Sequence, residues 1–577
     1  MKVSTVPTLA ALALLAGIWG VGPALAAATA PTGPGPFAPG RVTAHVDAAR
    51  LSEHIRVLAS DAFEGRGPGT PGETKTVGYI ASKFKAAGLL PGGDKGGWTQ
   101  AVPLRRFETP GPISVSFTEG GQGHPLTELD DIVVHSLVPT AHVTVKDAPL
   151  VFVGYGVTAP ERGWNDFKGP DGKDIDLKGK IAVVLINDPD GEMDPADPLY
   201  GRFDDKAMTL YGRWTYKYAE AARRGALGVL IVHETAPAAY GWNTVKNSNS
   251  APQFDIVRPD PAALHPLIEG WIQRDVAAAL FKAAGLDFEA EKARARTLGF
   301  TPAVLAGAGF SADYAVATST IVSHNVVGRI RGTTHPGEAL LFGAHWDHLG
   351  IGLPDARGDK IYNGAVDNAT GVAGLLELAR VLKADPKPRR SLWFVAFTAE
   401  EKGLLGSEYY AAHPLAPLGT TVGLLNLDVM NVNGRAWNLS TRGKGDADLD
   451  RLVARFTTAQ GRTYNHDSHL EEGSYYRADH FSLAKVGVPA LTLTAGLHLV
   501  KGGNAGGEAA HKDYVAKRYH QPADEWNPDW DLSGAAADLE VYRSLGDYLA
   551  NNREWPGWPD RSEFKAIRDT TAAARNP

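Results

Sequence analysis

Two adjacent carboxylates, Glu400 and Glu401, follow the apolar run Leu392 to Phe397 within "SLWFVAFTAEEKGLLGSEYY". Placed side by side at the mouth of a buried strand they repel, so the position asks for positive charge. Other segments offer residues of matching type. "HWDHLG" carries His345, Asp347 and His348, "NGAVDNATG" carries Asp367, "LLNLDVMNVNG" carries Asp428, and "YHQPADEW" carries His520. Singly each has an ordinary explanation: a helix cap for Asp367, a solvated loop for a lone His, a wet helix start for the glutamates. Jointly, two His and three or four carboxylates are a nitrogen and oxygen ligand set for two divalent cations. One glutamate can ligate while its neighbour faces the reacting water. In His345-Trp-Asp347 the aspartate is positioned to accept the other ring N–H of the histidine and set its tautomer. The chain contains no cysteine, so thiolate ligands, disulfides and a thiol nucleophile are excluded.

These residues need a scaffold that brings distant segments to one edge. Strands are predicted at 326–330, 339–342, 392–397, 423–429 and 490–493, and helices at 372–383, 404–412 and 535–550. In the first helix Val372, Leu375, Leu376, Ala379 and Leu382 share a face. Uniformly apolar strands between amphipathic helices predict an α/β fold with a central sheet flanked by helices. The candidate residues then follow the carboxyl ends of strands, where such sheets gather ligands.

The remainder divides by texture. Residues 1–26 read as a signal peptide, with Lys2, the apolar stretch Leu9 to Val21 and the small-residue motif Ala24-Leu25-Ala26. Residues 27–131 form a leader and the N-terminal part of the catalytic domain, with helical spacing at 47–58 and 72–87 on either side of the turn-rich "SDAFEGRGPGTPG". Residues 132–305, with "GKIAVVLIND" and "ALGVLIVHE", read as an inserted β-rich domain, and 306–577 as the main catalytic part. "KGGNAGGEAAHKD", 501–513, reads as a flexible glycine-rich loop. The formal net charge of -7 argues against nucleic-acid binding. With no second long apolar run, no membrane association is expected once the signal is cleaved, and nothing in the sequence sets an oligomeric state. The residues 67–72 fit GxGxxG literally but follow no strand, and there is no GxxxxGK[ST], HExxH or GxSxG motif.

"HWDHLG", "NGAVDNATGVA", "FTAEEKGLLGSEYY", "LNLDVMN" and "YHQPADE", in this order, resemble metallopeptidase family twenty-eight, the co-catalytic zinc aminopeptidases. The resemblance covers roughly 45–130 and 305–550, and the segment from "GYGVTAPERGW" to "IAVVLIND" is similar to the protease-associated domain inserted in many members. It implies a zinc-aminopeptidase-like mixed sheet and two Zn²⁺ per chain. Asp367 would bridge the ions, His345 and Asp428 would complete one site, and Glu401 and His520 the other. Glu400 would be the general base, with Asp347 orienting His345 and the Asp367-Asn368 peptide cis. Tyr519 matches a tyrosine that assists in some relatives, and Arg477 in "SYYRADHF" is a candidate substrate contact. His480 stays outside the ligand set, and His348 is the rival to His345. The implied function is an aminopeptidase acting on peptides with a free N-terminus; the signal-peptide pattern predicts that it is exported, periplasmic or extracellular, and a secreted chain of this size without cysteine suggests a bacterial source. The alternatives are a carboxypeptidase-like or other amide hydrolase on the same centre, and an inactive binding relative.

Overall fold

The computed structural model describes residues 44–575; the signal-peptide reading and most of the leader lie outside them. Every residue of the strand Arg390–Phe397 is buried, as a strand covered on both faces must be. It lies in a ten-stranded mixed sheet. At its centre Arg390–Phe397, His335–His345, Thr421–Asn426 and Ala490–Ala495 run parallel, in that spatial order. Antiparallel strands continue it on both sides, with Ala317–Ile330 beside Arg390–Phe397 and Asn438–Thr441 beside Ala490–Ala495. The helices Thr370–Ala384, Ser533–Asn551, Ala48–Leu58 and Pro71–Ala86 contribute to one continuous apolar core with the sheet. Leu375, Leu378, Leu392, Phe394, Leu539 and Leu545 are all at 1% exposure or less. Burial of each such side chain contributes about 1.5–3 kcal/mol.

Parallel strands share one carboxyl edge, and register sets what meets there. His345 ends its strand opposite Phe397, three residues before Glu400. Gly343 pairs with Asn426, two residues before Asp428. The Thr421–Asn426 strand is shorter than the predicted 423–429: it stops before Leu427, and Val429 turns to φ 58°. Asp428 therefore sits in the loop beyond the strand rather than within it, free of sheet pairing and able to turn toward His345.

A second, eight-stranded mixed sheet runs in the order Gln122–Leu126, Ser114–Glu119, Ala303–Ala315, His142–Phe152, Ile181–Leu185, Gly228–His233, Ile268–Gln273, Ile132–His135. Strand pairing crosses the expected 132–305 boundaries. The hairpin at 114–126 joins this sheet because Ala303–Ala315, itself running past 305, needs an antiparallel partner. Conversely Gln253–Ile256 leaves it to pair with Thr99–Glu108 at the edge of the first sheet.

The glycine-rich 501–513 is not a loop: Gly503–Lys517 is a helix. Gly502 and Gly503, at φ 109° and 62°, make the bend into it, and the Ala, Glu and Lys that follow are strong helix formers. Gly507 is needed there, since a side chain would strike the Leu497 carbonyl. Among the described residues, no helix is long and apolar enough to cross a membrane.

Candidate metal centre

The six residues expected at the strand ends converge. His345 Nε2 lies 3.2 Å from Asp367 Oδ1, 3.5 Å from Asp428 Oδ1 and 3.9 Å from Glu400 Oε2. His520 Nε2 lies 3.5 Å from Asp367 Oδ2 and 2.9 Å from Glu401 Oε2. The two oxygens of Asp367 thus face different histidines. All of these side chains are buried, and those of His345, Asp367, Glu400, Glu401 and Asp428 line a cleft of about 1000 Å³ that also borders Tyr519 and Arg477.

The local backbone is unusual at this edge. Ala399, Val429 and His520 have φ of 52°, 58° and 54°, a left-handed conformation that is costly for residues with a Cβ, above all β-branched Val. The Asp367–Asn368 peptide is cis, as the family resemblance implies. Gly364 is left-handed at φ 53°, and a side chain there would collide with the Asp367 carbonyl and the His348 ring. Asn368 ties the loop of Asp367 to the neighbouring one. Its Nδ2 donates to Leu427 O at 3.0 Å, and its Oδ1 accepts from Gly371 at 2.9 Å and Val429 at 3.3 Å.

Around the six lies a layer of orienting bonds. His345 Nδ1–H donates to the backbone carbonyl of Asp347 at 3.2 Å, which leaves Nε2 as the free donor atom. The expected partner, the Asp347 carboxylate, is 3.8 Å away. It accepts instead the N–H of Glu400 at 3.0 Å and of Glu401 at 3.4 Å, because the turn that presents the two glutamates leaves these amides without a helical acceptor. Asp347 thus holds the glutamate backbone, and the tautomer of His345 is set by the main chain. His348 Nδ1 donates to Glu401 Oε1 at 2.6 Å, steadying that carboxylate. His480 faces Thr492 at 2.9 Å, outside the cluster.

Several residues that contact the cluster or its loops carried no signal of their own in the sequence. Arg442 donates to Asp428 Oδ2 at 2.7 Å and to its carbonyl at 3.1 Å, turning Oδ1 toward His345. Ser248, from the inserted region, lies 2.8 Å from His520 Nδ1, and Asn247 donates to the His520 carbonyl at 2.9 Å. Arg66, within the turn-rich segment, is fully buried and donates to the carbonyls of Trp346, Leu58, Asn363 and Gly364 at 2.5–2.9 Å. Burial lowers its guanidinium to about 10.

Arg477 Nη2 donates to the Tyr519 hydroxyl at 2.7 Å, and its guanidinium packs on the rings of Tyr240 and Tyr519. Tyr519 packs in turn against His520, with ring centroids 4.0 Å apart and planes tilted by 34°. The pair forms one wall of the cleft beside the cluster.

The donor set fits divalent cations. The ring nitrogen His520 Nε2 is buried without an aligned hydrogen bond, although carboxylate oxygens surround it. Close approach without hydrogen-bond alignment is the geometry of ligands that share an ion at bonds of about 2.0–2.2 Å. Burial pushes the Glu400 carboxyl well above the ordinary range; His345 opposes this, and Glu401 and Asp428 add to it. So much buried negative charge calls for cations.

Residues 325–542 match the profile of Peptidase family M28. A stretch of 105 residues is 38% identical to a "Probable zinc metalloprotease" of Pyrenophora teres f. teres (strain 0-1), covering 18% of this chain and 22% of that protein. A stretch of 137 residues is 36% identical to "Aminopeptidase NAALADL1" of Mus musculus, covering 23% of this chain and 16% of that one. The chain therefore matches less than a quarter of the length of these relatives. The solved "Aminopeptidase from Aneurinibacillus sp. strain AM-1" has the same fold, with a TM-score of 0.52 over 90% of this chain and 97% of that one, at 23% identity. The segment that resembles peptidase family M28 contains every residue of the six-membered cluster.

Proposed function

We propose that this protein is an exported zinc aminopeptidase that removes N-terminal residues from peptides. The reading rests on one observation above the rest: the Asp367 carboxylate is divided between two histidines, with Asp428 beside one and Glu401 beside the other. His345, Asp428 and Asp367 would hold one Zn²⁺, and Glu401, His520 and Asp367 the second. When bound, the ions would polarise the scissile carbonyl and lower the pKa of the attacking water. Glu400, next to the ligands and no nearer than 3.9 Å to His345 Nε2, accepts the proton of that water and returns it to the leaving amine. Asp347 keeps Glu400 in place through its amide. Tyr519 and Arg477 form the wall against which the substrate carbonyl lies. The region 132–305 serves as a protease-associated domain, and the N-terminal 26 residues direct export.

Glu400→Gln and Glu401→Gln separate the roles. The first should keep metal content while hydrolysis falls about 10²–10⁴-fold; the second should lose metal as well. Substrates with free and with acetylated N-termini, assayed side by side, test the aminopeptidase part. Normal hydrolysis by both variants, or faster cleavage of blocked peptides, contradicts the reading.

A further inference from the structure

A second group of metal-ligating side chains faces the same cleft, apart from the Asp367 cluster. His469 and Glu472 stand three residues apart on the turn Leu470–Glu472, and Glu508 and His511 three apart on the helix Gly503–Lys517. Residues at this spacing project from one face of a helical turn. The two pairs cross. His511 Nε2 is 2.7 Å from Glu472 Oε1, and His469 Nε2 is 3.3 Å from Glu508 Oε2. The imidazoles lie face to face, centroids 4.5 Å apart and planes within 14°. Donor atoms of His469, Glu472 and His511 fall within 4.8 Å of one another. Tetrahedral ligands on bonds of about 2.0–2.1 Å are roughly 3.3 Å apart, so small side-chain rotations close the cage.

The turn is built to hold its ligands. Asp467 accepts the N–H of His469 at 3.0 Å with one oxygen, and Ser474 Oγ at 3.0 Å and Gly443 N at 3.2 Å with the other. Arg477 donates to the Glu472 carbonyl at 3.2 Å. The four ligand side chains are 19–37% exposed, open to the cleft but seated in its wall. Ordinary ion pairing accounts for each His–Glu contact, but it does not require the two pairs to be stacked on each other.

We propose that His469, Glu472, Glu508 and His511 bind a third divalent cation. Two imidazoles and two carboxylates select a transition metal such as Zn²⁺ over Mg²⁺ or Ca²⁺, which prefer all-oxygen shells. The ion fastens the helix Gly503–Lys517 to the turn Leu470–Glu472, so cleft width depends on its occupancy. The proposal does not rest on the hydrolytic reading.

The test is metal titration of the full-length chain, with Co²⁺ absorption bands and Zn²⁺ content as readouts. Wild type is expected to take up one more equivalent than His469→Ala/His511→Ala. Glu472→Gln, which keeps the shape of the turn, should weaken that equivalent at least tenfold. Glu401→Gln should lose metal from the Asp367 cluster and retain this one, so failure of one assignment is distinguishable from failure of the other. Circular dichroism establishes that each variant is folded, and if the double variant is not, Glu472→Gln decides alone. Equal stoichiometry and affinity in wild type and Glu472→Gln overturns the proposal, as does a third equivalent whose affinity for Mg²⁺ matches that for Zn²⁺.

Discussion

The carboxylate of Asp524 accepts the backbone N–H of Asp367 at 3.0 Å, and that of Val366 at 3.1 Å. A buried acid four residues after His520 thereby fastens the loop of Asp367 to the loop of that histidine. Asp524→Asn retains the shape but replaces one acceptor oxygen by a donor that faces an N–H. Zinc affinity should fall about 10–100-fold, the usual consequence of losing an outer partner, with far-ultraviolet circular dichroism unchanged. Competition with a chelator of known affinity measures it.

Ser248 connects the inserted region to the same centre through His520. Ser248→Ala should lower zinc affinity by a similar factor and reduce kcat/KM, without altering the melting temperature of the metal-free protein by more than a degree or two. An effect on stability alone would mean the contact only joins the two sheets.

Arg66 satisfies four carbonyls at once, including those of Trp346, Asn363 and Gly364 on both sides of the ligand segments. Arg66→Met removes a donor from each, and the Gly364 carbonyl keeps the Ala369 N–H at 3.1 Å. The expected loss is about 3 kcal/mol or more in denaturant unfolding, with lowered metal content, because His345 and Asp367 lose their common anchor.

A pH dependence is expected where the two sheets are joined. His265 lies 2.8 Å from Glu269, on the second sheet, and 3.4 Å from Asp255, on the strand paired into the first. Burial disfavours its charge, but the two carboxylates prevail and raise it from 6.5 to about 10. A group with a raised folded pKa contributes its stability fully below 6.5 and loses it as pH rises through about 10. His265→Gln should therefore destabilise on the order of 2 kcal/mol at pH 6, and the difference should vanish near pH 11. Thermal melts of both proteins across this range test it.

Much of the site was legible because metal chemistry restricts residue type. Two carboxylates beside an apolar strand, and histidines and aspartates after others, have few joint explanations, and the period of apolar residues located the strands and helices that carry them. Arg442, Ser248 and Arg66 carried no such mark, since a guanidinium or hydroxyl becomes an orienting group only through whatever it happens to meet. The helix Gly503–Lys517 was hidden by its glycines, of which Gly507 makes a close approach to Leu497 that no local pattern encodes.

By itself the amino-acid sequence determined the donor types, the absence of thiolates and the apolar strands that the candidate residues follow. Tertiary structure alone decided that Asp347 grips the amides of the glutamates while its carbonyl, not its carboxylate, sets the tautomer of His345. It also decided that a strand from the inserted region completes the first sheet, and that His469 meets His511 across the cleft. The reason is physical: ligand type and apolar period are properties of short stretches, whereas hydrogen-bond partners and strand neighbours depend on where segments hundreds of residues apart come to rest.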